Sequence, residues 1–255
     1  MKIIRFLPVV IIPLLFACLP KKPEIPMTEV PAGQLVQALE QRLRSFSGLK
    51  AMAGIRAVRK DRRRSFETVA VLVRGQERFR MDAYGPLGET LVSLVWNGET
   101  MVADLGGQRR VIPPKSSGLE RLLGADVDPA ELCAIFSGNV PAASLGPDSR
   151  VFCSGTGTCV LETKQDEKVF RVHPAQGWES KATVRSYEVY RGRSLVYRVI
   201  YGSPETVSGY SLPRTIVVEN PDKRMTLTIS YSEAEVNVSL QEEVFTLPGE
   251  EGTDR

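Results

Sequence analysis

The sequence predicts a mainly β domain, a curled antiparallel sheet with helices as its cover. Segments rich in β-branched and alternating apolar residues recur along most of the 255-residue chain. Nearly all connections between them are too short for a parallel crossover and contain turn residues, so antiparallel order is favoured. Helical periodicity is confined to the start of the chain and to a central insert. Such a sheet should curl, leaving an apolar concave face for the helices.

The first residues have the pattern of an export signal. Lys2 and Arg5 precede an apolar stretch over residues 6–17, which is too short to cross a bilayer core of about 30 Å. The stretch ends in LFAC, which resembles a lipobox with Cys18 as the acceptor. We therefore interpret residues 1–17 as a lipoprotein signal peptide and Cys18 as the lipid-attachment residue. The alternative is an ordinary secretory peptide with an incidental cysteine.

A tether and a helix follow the anchor. Residues 18–30 combine the acylated cysteine with a polar, proline-rich tether. We expect one folded domain over residues 31–248 and a flexible tail over residues 249–255. The domain begins with an amphipathic helix over residues 31–46. Its apolar face carries Leu35, Leu39, Leu43 and Phe46.

Strands on both sides of a helical insert complete the domain. A β-meander is expected between residues 51 and 112, with Asn97-Gly98 as a strong hairpin signal. Residues 113–147 interrupt it with two short helices, and Asp128 and Pro129 are suited to the cap and first turn of the second. Strands resume after Pro147 and continue to residue 239. The total is about eleven or twelve strands.

The remaining cysteines fit an oxidising compartment. Cys153 and Cys159 flank SGTGT, a sequence suited to a tight turn, so we predict a disulfide across this hairpin. Cys133 lies in an apolar helical pattern and is expected to be a buried free thiol. His173 is the only histidine and no CxxC pair exists, so no metal site is expected.

Motifs for catalysis and for nucleic-acid binding are missing from the sequence. It has no GxSxG elbow and no phosphate-binding loop, and no serine stands out as a partner for His173. We therefore expect neither an enzyme nor a cofactor. Without Lys2 and Arg5, the 33 basic residues become 31 against 30 acidic ones. That balance gives no bulk attraction for nucleic acid.

One basic cluster stands out in this balanced chain. Its members are Arg59, Lys60, Arg62, Arg63 and Arg64, around the single acidic residue Asp61. The cluster is typical of a hairpin tip in water. The functional alternative is weak contact with anionic lipid head groups.

A second turn carries an apolar residue. In Tyr84-Gly85-Pro86-Leu87-Gly88, proline fixes φ and the glycines permit a sharp bend. Leu87 therefore lies at the tip of a turn between two strands. It either folds back onto the sheet or is an apolar probe aimed at lipid.

Several segments together resemble LolB-like outer-membrane lipoproteins of the LolA/LolB superfamily. They are the lipobox ending at Cys18, the helix over 31–46, RFRMDAYGPLGETLVSLVWNGE at 78–99, LERLLGADVDPAELCAIFSG at 119–138 and VFTLP at 244–248. The resemblance covers most of the mature chain. It departs from the family in greater length and in the cysteine pair at 153–159.

The resemblance implies a fold and a function. The fold would be an unclosed β-barrel with a lid formed by helices at 117–123 and 129–137. Its apolar cavity would hold the acyl chains of lipoproteins, received from a periplasmic LolA-like carrier. The turn Gly85-Pro86-Leu87-Gly88 would be the membrane-insertion loop. Because Leu19 rather than aspartate follows Cys18, the resemblance favours the outer membrane as the destination, with the domain facing the periplasm. A monomer is expected. The alternative is a non-catalytic envelope scaffold or sensor with the same fold.

Overall fold

The structure is a computed structural model that describes residues 26–60, 62–113 and 127–247. The predicted signal peptide, Cys18, most of the tether, the first insert helix at 117–123 and the tail lie outside the described residues. No helix in the described part of the chain has the length and apolar character needed to cross a membrane.

A single antiparallel sheet dominates the described residues. Its fourteen strands are β1 (Met27–Val30), β2 (Gly48–Arg59), β3 (Arg62–Arg74), β4 (Arg78–Tyr84), β5 (Thr90–Trp96), β6 (Met101–Leu105), β7 (Gln108–Ile112), β8 (Arg150–Ser154), β9 (Cys159–Gln165), β10 (Lys168–Pro174), β11 (Val184–Arg191), β12 (Ser194–Val207), β13 (Tyr210–Asn220) and β14 (Met225–Val236).

The sheet consists of two meanders joined edge to edge. Strands β2 to β7 form one and β8 to β14 form the other, and β14 pairs with β2 along its whole length. Strand β1 adds to β8, so β1 and β7 are the two free edges and the barrel is not closed. This confirms the predicted fold class, a curled antiparallel sheet that forms an unclosed half-barrel.

The described sheet has fourteen strands where eleven or twelve were predicted, and two of its strands differ from the sequence-based assignment. Two strands expected at 224–231 and 234–239 are the single strand β14, because a bulge between Tyr231 and Glu233 absorbs the break in alternation. Met27–Val30, assigned to the tether from its composition, pairs with β8 instead. The sheet therefore begins nearer in sequence to Cys18 than the sequence indicated.

Three α-helices lie in the part of the chain that the structure describes: α1 (Gly33–Ser45), α2 (Pro129–Ser137) and α3 (Trp178–Lys181). Helix α1 buries Leu35 and Leu39 on the apolar face that the sequence predicted. Helix α2 is buried along nearly its whole length and packs against the inner face of β3, β4 and β13. The four-residue α3 was not predicted.

A disulfide joins Cys153 and Cys159 where β8 passes into β9. Strand β1 pairs with this part of β8, so the bond supports the edge of the sheet that β1 forms. We expect Cys153→Ser to lower the free energy of unfolding by about 2 kcal/mol, the loop entropy for a ring this short. Urea unfolding of the oxidised protein and the variant measures this. Dithiothreitol should destabilise the wild type only, and equal stability in all four samples would contradict the expectation.

Candidate functional site

An apolar pocket of about 170 Å³ lies between helix α2 and the concave face of the sheet. Of the eighteen described residues that line it, only Arg64 is charged or polar. Strands β2 to β6, β13 and β14 form its floor. Leu132, Ile135 and Phe136 of α2 form its roof. An apolar surface of this kind suits a hydrocarbon ligand, because polar groups would lose their hydration there without compensation.

Small side chains create the space. Ala57, Ala83 and Ala103 line the pocket on β2, β4 and β6, and Ala83 and Ala103 pair with the larger residues Val69 and Leu94. Interiors are normally packed to the density of organic crystals. Three alanines in the lining therefore leave a volume that the adjacent side chains do not fill.

The N-terminus of α2 is fixed by a buried carboxylate. Asp128 caps the helix, Pro129 follows it, and Glu131 completes a capping box by accepting from the Asp128 backbone at 3.0 Å. The same carboxylate accepts from Tyr197 Oη and Lys168 Nζ, each at 2.8 Å. Glu131 is 5% exposed, so these bonds replace the hydration that it loses on folding.

The C-terminus of α2 is held by tyrosines of the second meander. Their buried hydroxyls donate to backbone carbonyls that the helix leaves unpaired. The bonds run from Tyr231 to Phe136 at 2.9 Å, from Tyr210 to Ser137 at 3.0 Å and from Tyr201 to Asn139 at 2.6 Å. Burial raises the pKa of Tyr210 to about 12, so its hydroxyl remains a proton donor at neutral pH. Both ends of the roof are thus attached to the sheet by polar contacts.

The turn at 85–88 leaves Leu87 almost entirely in solvent, with 95% of the residue exposed. Gly88 adopts a φ of 83°, which favours glycine. The Glu89 carboxylate accepts from the Leu87 backbone at 3.1 Å, and the Glu89 carbonyl accepts from Gly85 at 2.8 Å. Of the two predicted placements, the structure shows the exposed one. The turn begins two residues after Ala83, which lines the pocket.

The other candidate residues lie apart from this site or outside the described chain. Cys133 is fully buried in α2 with a free thiol, and burial raises its pKa far above the ordinary value. His173 lies 3.8 Å from a Glu188 oxygen, and burial is the main cause of its lowered pKa. Among the described residues, no group of three His, Cys, Asp or Glu side chains could hold a metal ion. Cys18 lies outside them.

Comparison with known proteins identifies the fold. No protein-family model matches the sequence. No curated protein matches it either. Among solved structures, a DUF1329 family protein from Desulfovibrio piger has a TM-score of 0.62 at 14% identity, over 84% of this chain and 96% of its own. A LolA superfamily protein from Nitrosomonas europaea has a TM-score of 0.56 at 15% identity, over 86% and 98%.

The half-barrel has the LolA/LolB-like fold. A domain from Vibrio parahaemolyticus that is assigned to outer-membrane lipoprotein sorting also matches, with a TM-score of 0.56 at 12% identity, over 83% of this chain and 94% of its own. At these identities the likeness concerns the fold.

Within this LolA-like fold, sequence reasoning located the turn and α2 but missed the pocket lining. The signal that could have found it is the recurrence of alanine at inward positions, as in Ala57, Ala83 and Ala103. Glu131 was missed as well. Its place three residues after Asp128 matches a capping box, but its partners on distant strands leave no local signal.

Proposed function

We propose that this protein is an outer-membrane lipoprotein that binds acyl chains of other lipoproteins and helps to insert them into the membrane. In this proposal, residues 1–17 are removed and Cys18 carries the lipid anchor on the periplasmic side. A LolA-like carrier delivers the cargo, and the protein acts as a monomer without catalysis. The observation that carries the proposal is an apolar pocket, roofed by a helix, beside an exposed leucine turn.

The size of the pocket defines how binding must proceed. An engineered cavity of about 150 Å³ accommodates one benzene molecule, so 170 Å³ accommodates only part of one acyl chain. Larger cargo requires α2 to move away from the sheet. Its polar attachments at both ends then set the free energy of that movement, and affinity stays low enough for the cargo to leave.

Binding of the neutral probe N-phenyl-1-naphthylamine to residues 19–255 tests the proposal. All described strands, helices and core residues lie within 26–247, so this chain keeps every described contact. We expect saturable binding that a triacylated lipoprotein displaces. Absence of binding by a protein shown to be folded would favour the alternative, an envelope scaffold or sensor. The small volume of the pocket is the observation that supports this alternative.

The exposed turn gives a second test. Leu87→Glu should leave stability unchanged, because the side chain contacts mainly water, but delivery of lipoprotein to membranes should fall at least about tenfold. A charged side chain resists transfer into lipid. Delivery of a labelled lipoprotein from carrier to vesicles, measured with the anchored protein, gives the rate. Val111→Glu, at another exposed apolar residue, is the matched control. Equal rates in the two variants would remove Leu87 from the mechanism.

A further inference from the structure

The concave face of the β2–β3 hairpin changes abruptly from apolar to cationic. Along this face the cross-strand pairs are Ile55 with Phe66, Ala57 with Arg64, and Arg59 with Arg62. The first pair and both members of the second line the pocket. Because alternate residues of a strand share a face, Arg59 and Arg62 lie on the same side as the pocket. Three arginines thus continue the floor of the pocket beyond its apolar part.

Neighbouring strand β14 confirms that this face is the inner one. Leu227 pairs with Ala57 and also lines the pocket, and Met225 pairs with Arg59 and is buried. The outer face of the hairpin carries Arg56 and Arg63 instead, by the same alternation. The hairpin therefore has basic residues on both faces, but only those of the inner face adjoin the pocket.

The inner arginines Arg59, Arg62 and Arg64 are exposed. None of the ion pairs among the described residues involves Arg59, Arg62 or Arg64. Burial, and next the charge of Arg59, lower the pKa of Lys223 in the adjacent turn. The like charges of Arg59 and Lys223 therefore lie near each other. Since like charges repel, this arrangement opposes folding and points to a ligand of opposite charge.

We infer that the pocket binds an amphiphile with an anionic, phosphate-type head group. The hydrocarbon chain would enter the apolar part, and the head group would lie on Arg59, Arg62 and Arg64. Planar guanidinium groups bind phosphate oxygens through paired, charge-assisted hydrogen bonds. The inference rests on the proposed binding of acyl chains and adds the chemistry of the head group to it. A membrane phospholipid and free phosphate share this chemistry.

Three ligands separate the contributions of chain and head group. Dodecyl phosphate has both, dodecyl maltoside has the chain with a neutral head, and inorganic phosphate has no chain. We would titrate each into residues 19–255 by calorimetry, with the two detergents below their micelle concentrations. Dodecyl phosphate should bind at least about tenfold more tightly than dodecyl maltoside, the gain expected from hydrogen bonds to a charged group. Inorganic phosphate should bind more weakly than either.

Two double variants that remove the same amount of charge distinguish binding by the inner face from a general attraction of the hairpin for anions. Arg59→Gln with Arg62→Gln should weaken dodecyl phosphate at least about tenfold and leave dodecyl maltoside unchanged. Arg56→Gln with Arg63→Gln, on the outer face, should leave both ligands within about twofold.

Four outcomes would overturn the inference. Equal weakening by both double variants would indicate a general attraction of the hairpin for anions, as at a membrane surface or an acidic protein. If inorganic phosphate binds as tightly as dodecyl phosphate, the arginines bind an anion without any contribution from a hydrocarbon chain in the pocket. Equal affinity for dodecyl phosphate and dodecyl maltoside would contradict the head-group site and leave the proposed function intact. If even the neutral probe does not bind, both proposals fail.

Discussion

Replacement of Ala103 by phenylalanine should abolish binding of a hydrocarbon probe while the protein remains folded. Ala103 is 2% exposed and faces the 170 Å³ pocket. The added ring has the size of benzene, which an engineered cavity of about 150 Å³ accommodates. The ring would therefore occupy most of the available space. Because it fills a void rather than a packed region, we expect the free energy of unfolding to change by less than about 1.5 kcal/mol.

Titration of Ala103→Phe with N-phenyl-1-naphthylamine measures the loss of probe binding. Urea unfolding shows whether the variant is folded. Val111→Phe is the control, since it adds an aromatic ring at an exposed position of β7 in the same meander. The control should bind the probe like the wild type. If Ala103→Phe also binds normally, the probe occupies another site and the pocket under α2 is not the acyl-binding site.

Alternation and turn chemistry suffice to predict most of this fold. The turn at Asn97-Gly98 and the helix start at Asp128-Pro129 depend only on residues close by in the sequence. The hairpin and α2 could therefore be placed from the sequence. The tether prediction at Met27–Val30 was wrong because β1 is stabilised by pairing with β8, more than a hundred residues away. A prediction from local composition contains no information about such a partner.

The candidate site also has features that the local sequence predicts and features that it does not. The glycines and Pro86 make a local turn, and so the position of Leu87 at its tip could be predicted. Its exposure could not, because that depends on whether the surrounding sheet offers an apolar contact. The tyrosines that hold the end of α2 lie on β12, β13 and β14. Their roles depend on curvature of the whole sheet, which no single segment encodes.

Arg42→Met should destabilise the protein by about 2–3 kcal/mol, which corresponds to a fall in Tm of about 4–12 °C for a chain of this size. Arg42 extends from α1 and is 7% exposed. Its Nη2 atom donates to the carbonyls of Gly138 at 3.2 Å and Ser211 at 2.7 Å. The guanidinium also lies 4.4 Å from the centre of the Tyr210 ring. Methionine retains the apolar stem and removes these bonds, leaving the end of α2 with an unpaired buried carbonyl.

Thermal unfolding measures this effect, and Arg44→Met on the same helix is the control. Arg44 is exposed and pairs only with Glu40 at 3.5 Å, so its replacement should change stability by less than about 0.5 kcal/mol. A similar Tm for the wild type and both variants would show that the buried guanidinium does not hold α2.

The same variant tests whether α2 moves when cargo binds. A ligand that requires a displaced helix binds only the displaced fraction of molecules, so its apparent affinity rises when that fraction rises. Arg42→Met weakens one attachment of α2 and should therefore bind a triacylated lipoprotein more tightly than the wild type. Benzene fits a cavity of about this size without any movement of α2, so its affinity should be the same in the wild type and the variant. Loss of stability without any gain in lipoprotein affinity would mean that α2 stays in place and that larger cargo binds elsewhere.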